Sequence, residues 1–218
     1  AVPGALGDAV ATEGTTSAGG VAAVGNADAG LPPPIPFGYS RYALLAAMDA
    51  DGRVGQAATG PGLLMEDAAA PFGVRTDPTE LERAIDAALD DPCAVAVIDQ
   101  GDLIRADRAA AVADAPGDID DQHSAALTAA DDALGVVRDR LEDDDLLVVV
   151  APTSPAADDD VHFGIALARG PGFVSGESLS SATTRRPGIA TLPDIAPTVL
   201  AHLGITRPTS MLGRPWFA

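Results

Sequence analysis

The 218 residues carry 13 basic and 32 acidic side chains, giving a formal charge of −19 and a pI near 4.1, with 47% of residues hydrophobic. That balance argues against a nucleic-acid partner, which needs a basic footprint, and against electrostatic docking to anionic lipid; a cationic partner or simple solubility fits it better. The apolar share suffices for the core of one α/β domain, or a large C-terminal part of one, spanning residues 1–218, and no stretch approaches the ~20 apolar residues of a membrane span.

Every basic residue is arginine, a bias expected of a GC-rich coding sequence, with adaptation to high salt as the alternative source of the acidity. Cys93 stands alone, which rules out an intramolecular disulfide or a thiolate metal cluster; inside the apolar run CAVAVI it reads as a buried, inert thiol. The chain opens at Ala1 with no charged n-region ahead of an apolar stretch, so a processed product or excised domain is expected.

Along the chain, Leu6 to Ala11 can be a helix and Gly20 to Gly25 a short buried strand. Leu31 to Gly38 is proline-rich and reads as loop, Tyr39 to Met48 as a short helix, and Asp49-Ala50-Asp51-Gly52 as a turn. Glycines and Pro61 predict an irregular stretch next. Asp77, Pro78 and Glu80 form an N-cap with a capping-box spacing, opening a helix whose face is Leu81, Ile85 and Leu89 and which Pro92 ends. Cys93 to Ile98 is the continuous apolar run of a covered parallel strand, followed by a polar acidic loop. From Ser124 to Leu141 the positions Leu127, Leu134, Val137 and Leu141 predict the longest helix; Leu146 to Ala151 reads as a second buried strand and Ile165 to Ala168 as a third, ending at Gly170-Pro171-Gly172. Helices alternating with apolar strands imply an α/β fold around a largely parallel sheet.

The last segment, Thr183 to Trp216, is the most constrained. Arg186-Pro187-Gly188 is a turn, Asp194 a helix N-cap, Pro197 sits in the first helical turn, Ile195, Val199 and Leu203 recur at helical spacing, and Gly204 supplies a left-handed stop. The ordered set Asp194, Pro197, Thr198, Leu200, Gly204, Pro208, Met211 and Gly213 resembles the closing D-x-x-P-T-x-L-x-x-x-G and P-x-x-M-x-G elements of the alkaline phosphatase superfamily. It is nearest the cofactor-independent phosphoglycerate mutase branch and similar to phosphodiesterases and sulfatases. The resemblance implies a largely parallel central sheet flanked by helices, truncated at its N-terminus if the family's nucleophile strand lies upstream.

In that family a serine, threonine or modified cysteine attacks a phosphate or sulfate ester beside one or two metal ions, which neutralise developing charge. Zinc or manganese there needs histidine and carboxylate ligands. The family's Asp-x-x-x-His element maps onto Asp99-Gln100-Gly101-Asp102-Leu103, where Leu103 replaces the histidine. Its Asp-His pair maps onto Ala151-Pro152-Thr153-Ser154-Pro155, with neither ligand, and one histidine, His162, lies near the place of the last. Asp99 and His162 are therefore the remaining metal candidates, and no catalytic or cofactor-binding residue is assigned. His123 and His202 read as surface or capping residues.

Other patterns carry less. Asp143 to Asp145 and Asp158 to Asp160 lack the spacing and glycine of a calcium loop. Gly19 to Gly25 has its glycines in the wrong order for a dinucleotide fingerprint. Arg185 and Arg186 could hold an anion beside a turn, with pairing to surface carboxylates the plainer expectation. A hydrolase using Ser154 with His162 lacks nucleophile-elbow glycines. The expectation is a non-catalytic alkaline-phosphatase-like domain without a cofactor, with a binding or structural role toward a protein or envelope component. Resemblance to domains carried outside the membrane by actinobacterial multi-pass proteins implies an extracytoplasmic place, with a cytoplasmic one as the alternative. The enzymatic alternative is a zinc- or manganese-dependent phosphoester hydrolase or mutase whose N-terminal catalytic residues lie outside this chain.

Overall fold

A computed structural model describes residues 2–13, 20–27, 41–90, 95–111, 118–152 and 163–218. The elements are α1 (Ala5–Glu13), β1 (Val21–Gly25), α2 (Tyr42–Ala47), β2 (Gln56–Ala58), β3 (Leu64–Glu66), β4 (Val74–Thr76), α3 (Pro78–Asp90), β5 (Val95–Asp99), α4 (Asp102–Ala110), α5 (Ile119–Arg138), β6 (Leu147–Val150), β7 (Ala166–Arg169), β8 (Ser180–Ser181), α6 (Ile195–His202) and β9 (Trp216–Phe217). Cys93 with the start of its strand, Pro92, the proline-rich loop, Gly19, the loop from Thr153 to Pro155, Asp158 to Asp160 and His162 lie outside the described residues.

β1 is the centre of a three-stranded parallel sheet in the order β2-β1-β5, and all five of its residues are buried. Because side chains alternate across a strand, Val21 and Ala23 face a cluster with Ala9 and Val10 of α1, Ala43 and Ala47 of α2 and Leu200 of α6. Ala22 and Val24 face the other way, onto Leu81, Ile85 and Ala88 of α3 and Ala133 and Val137 of α5. Helices thus cover both faces, the layered α/β arrangement that a strand apolar on both sides requires. The alanines of β1 let those helices come close.

The parallel sheet is narrower than the sequence suggests. β6 pairs with β7 antiparallel and forms its own two-stranded sheet, so neither joins the parallel set. Both strands are less buried than expected: β6 is half-buried along its length, and Ile165, just before β7, and Leu167 within it are exposed. The irregular stretch around Pro61 contains β2 and the antiparallel pair β3–β4, strands of three residues each, too short to show a period. The polar loop expected after β5 is instead α4, and α5 begins at Ile119 rather than Ser124, with Asp118 as its N-cap accepting from the Asp120 amide at 2.9 Å. The buried positions of α5 are Gln122, Ala126, Ala133 and Val137; of the predicted stripe Val137 is buried and Leu141 packs on the same cluster, Leu134 is half-buried, and Leu127 is 55% exposed. On α6 the buried positions are Pro197, Thr198 and Leu200, while Ile195, Val199 and Leu203 are only half-buried.

Candidate functional site

In open α/β sheets ligands bind beyond the carboxyl ends of the strands, where neighbouring connections depart to opposite sides. β1 leads toward α2 on one face, and β5 leads into α4, which packs on α5 at the other. Gly25 ends β1 opposite Asp99, and any Cβ on Gly25 would overlap the Asp99 carbonyl, so the two strand ends meet in backbone contact. Asp99 is half-buried there, and Leu103 stands in the first turn of α4.

The crevice is filled by side chains of α4. The Arg105 guanidinium, fully buried, reaches across 79 positions to donate to the Asn26 carbonyl at 3.0 Å just past β1. Its other terminal nitrogen donates to the Thr76 hydroxyl at 2.9 Å and pairs with the buried Asp102 carboxylate. Asp102 also accepts from the Thr76 amide at 2.9 Å and from the Gln100 side-chain amide at 2.6 Å, while Gln100 in turn accepts from the Asp102 amide at 3.0 Å. The last bond satisfies a donor that the helix start would otherwise leave open. Asn26 is tied to the Gly60 carbonyl at 2.7 Å. The result is a buried polar network whose charged members neutralise each other, the form in which an ion pair is tolerable away from water.

One wall of this network, Asp102, borders a cavity of about 110 Å³ shared with Asp67, Arg75, Gln122 and alanines of α5. A broader groove of about 490 Å³ lies between α3, α5 and β6, edged by Glu82, Asp131, Arg138 and Arg140. Neither contains Asp99. Among the described residues no three His, Cys, Asp or Glu side chains converge as metal ligands. Among the described residues the side chains at the strand ends do not make up a zinc or manganese set: Leu103 offers no lone pair, and Asp102 is already engaged by a fixed buried cation that would repel a second one.

The remaining histidines are accounted for by position. His123 on α5 bonds through Nε2 to Asp107 of α4 at 2.6 Å, and His202 is half-buried in the last turn of α6. They serve different interfaces, far apart in the chain order of elements.

The C-terminal motif residues converge on a second network. By position Asp194 precedes α6, yet its carboxylate does not cap that helix. It is fully buried at the end of a 3₁₀ turn, Leu192–Asp194. One oxygen accepts from the Thr183 hydroxyl at 2.6 Å and the Arg214 amide at 2.8 Å; the other accepts from the Thr191 amide at 2.9 Å and hydroxyl at 2.8 Å. Burial pushes this carboxyl up, but the hydrogen bonds from Thr183, Arg214 and Thr191 outweigh it and hold it below the ordinary carboxylate range. Thr198 donates to the Asp194 carbonyl at 2.7 Å and accepts from the Trp216 amide at 2.9 Å, fastening β9 to α6. Gly213 is buried against the Pro193 carbonyl, where no Cβ fits. Gly204, at φ +68, stops α6 with the Ile205 amide bonded back to the Leu200 carbonyl at 2.8 Å.

Comparison with protein-family models, curated proteins and solved structures returns no match.

The family-like residues Asp194, Thr198, Gly204 and Gly213 therefore join backbone to backbone, clasping three segments, 183–191, 194–204 and 213–217, into one corner. Arg105 was invisible from sequence because a lone arginine between apolar positions reads as a surface residue. The spacing held a signal nonetheless, since Asp102, Arg105, Ala106 and Ala109 follow a three- and four-residue period and are all buried.

Proposed function

We propose that this is a non-catalytic domain of alkaline-phosphatase-like descent, with a binding or structural role toward a protein or other component of the cell envelope, outside the cytoplasm, and no hydrolysis by this chain alone. The supporting observation is the Arg105–Asp102 network at the carboxyl ends of β1 and β5. A phosphoryl-transfer site there needs room for an ester and a divalent ion; the crevice instead holds a guanidinium bound through its terminal nitrogens to Asn26, Thr76 and Asp102. Leu103 places a hydrocarbon where the resembled motif has an imidazole.

The test is metal content by mass spectrometry, followed by turnover of an aryl phosphate with added zinc or manganese, on this chain and on the natural-length protein. Substoichiometric metal and no turnover above buffer are expected. Stoichiometric metal with turnover would transfer the assignment to the metal-dependent hydrolase alternative.

A further inference from the structure

Charge is distributed unevenly along this chain. Residues 178–218 hold four arginines and a single acid, Asp194, while the preceding 177 residues hold nine arginines and 31 acids. That one acid is buried and consumed by its four hydrogen bonds, so it offers nothing to the surface.

The same bonds decide where the arginines stand. Thr183 and the Arg214 amide share one Asp194 oxygen, which brings the Arg185-Arg186 turn and Arg214 to one corner. Arg185 is held at φ +56, in the left-handed region that non-glycine residues rarely occupy. Its turn is pinned by the Arg185 amide to the Ser181 carbonyl at 3.1 Å and by the Thr184 hydroxyl to the Ile189 carbonyl at 2.6 Å. Among the described residues neither Arg185, Arg186 nor Arg214 pairs with a carboxylate, contrary to the plainer sequence expectation, and all three are exposed.

The same segments carry exposed apolar side chains. Leu212 is 78% exposed, Leu192 54% and Phe217 52%. They belong to the same corner, because Gly213 packs on Pro193 and Phe217 pairs with Ser180. These are single side chains on turns, and neither cavity described above touches them. Exposed arginines together with exposed leucine and phenylalanine on these neighbouring segments suit a flat partner that is anionic at its surface and apolar beneath it.

We infer that this corner, Arg185, Arg186 and Arg214 with Leu192, Leu212 and Phe217, docks on the surface of an anionic lipid bilayer. The −19 net charge does not forbid it, because at physiological salt charges more than about 8 Å apart are largely screened, so the nearby charges set the local sign, and beside the three arginines the adjoining sequence adds one exposed acid, Glu177. Docking is peripheral: it buries side-chain tips and requires no spanning helix, and among the described residues no helix is long and apolar enough to cross a membrane. The assignment is independent of whether the sheet crevice is catalytic.

Co-sedimentation with phosphatidylcholine vesicles containing about 30 mol% phosphatidylglycerol, set against pure phosphatidylcholine vesicles, tests it at low and high salt. Binding to the anionic vesicles alone, weakening with salt, is expected. The double variant Arg185→Gln/Arg186→Gln should lose about 30-fold in partition, at roughly a factor of five per arginine. Leu212→Ser should weaken binding with the salt dependence kept, and Arg138→Gln, an exposed side chain in the last turn of α5, should stay within about twofold. The intrinsic fluorescence of Trp216 verifies that each variant is folded at this corner. Equal binding to neutral vesicles, no binding, or an unchanged double variant overturns the inference. So does binding of a polyglutamate probe in place of vesicles, which would give the corner to an acidic polypeptide.

Discussion

Substituting Asp194→Asn changes the C-terminal clasp by one atom and one charge. Both carboxylate oxygens accept two hydrogen bonds in the native structure, at 2.6 to 2.9 Å. An asparagine oriented with its oxygen toward Thr183 and Arg214 keeps that pair with a neutral acceptor. Its amide then faces the Thr191 amide, donor against donor, while the Thr191 hydroxyl can turn to accept. One buried N–H left unpaired costs about 1–3 kcal/mol, and two bonds lose charge assistance at roughly 1 kcal/mol each, so the total is about 3–5 kcal/mol. Against a domain stability of about 5–15 kcal/mol that is a large fraction.

Urea unfolding followed by far-UV circular dichroism and by Trp216 fluorescence measures it, the single tryptophan being buried in the clasp itself. The midpoint should fall with the slope unchanged if the clasp unfolds with the domain, whereas an early fluorescence transition would mark local release. The pH dependence supplies the sign. Asp194 has its folded-state pKa depressed, so its contribution is fully present above the unfolded carboxylate value and is lost as pH falls through the lower, folded one. Asp194→Asn should remove that part of the acid limb. A variant within about 0.5 kcal/mol of the native protein at neutral pH, or one with an unaltered acid limb, would refute the ionised-hub reasoning.

Three further outcomes are expected. Arg105→Met strands the Asp102 charge and should cost about 3–5 kcal/mol in urea unfolding, while Asp102→Asn/Arg105→Met should be less destabilised than the single variant by about 1–2 kcal/mol. Gly213→Ala, which drives a methyl into the Pro193 carbonyl, should cost about 3 kcal/mol, whereas Gly204→Ala, in open space at φ +68, should cost only about 1 kcal/mol; thermal melts rank the two. Asp118→Ala removes the α5 N-cap and should lower stability by about 1 kcal/mol, read by the same melts.

The legible parts of this fold are those where one physical signal acts alone. Val21 to Gly25 and the run ending at Ile98 are apolar on both faces and became the paired strands β1 and β5. Asp77-Pro78 opened α3, and Gly204 closed α6. Where signals compete, the reading fails. On α4 the buried face contains an arginine and an aspartate, so hydrophobicity vanishes from a period that geometry preserves. On α5 the buried positions include Ala126 and Ala133 while the larger Leu127 points to water, so the leucines alone do not mark its core face. Strand β2 is fixed by β1, distant in sequence, and the three-residue strands β3 and β4 only by each other across residues 67–73. At the candidate site Asp99 stands at a strand end, as the sequence suggests, and the pairing of β5 sets it beside Gly25 of β1. The residue that occupies the crevice, Arg105, carried no motif.

Arg105 also bears on how the chain finds its register. Moving α4 by one residue would turn Ala106 toward the crevice and leave both Arg105 and Asp102 away from Asn26 and Thr76, with two charges desolvated and unmatched. A face of alanine and leucine would slide at little cost; this one is expected to seat in a single position or not at all. Hydrogen exchange in α4 should accordingly show one cooperative opening in place of gradual fraying.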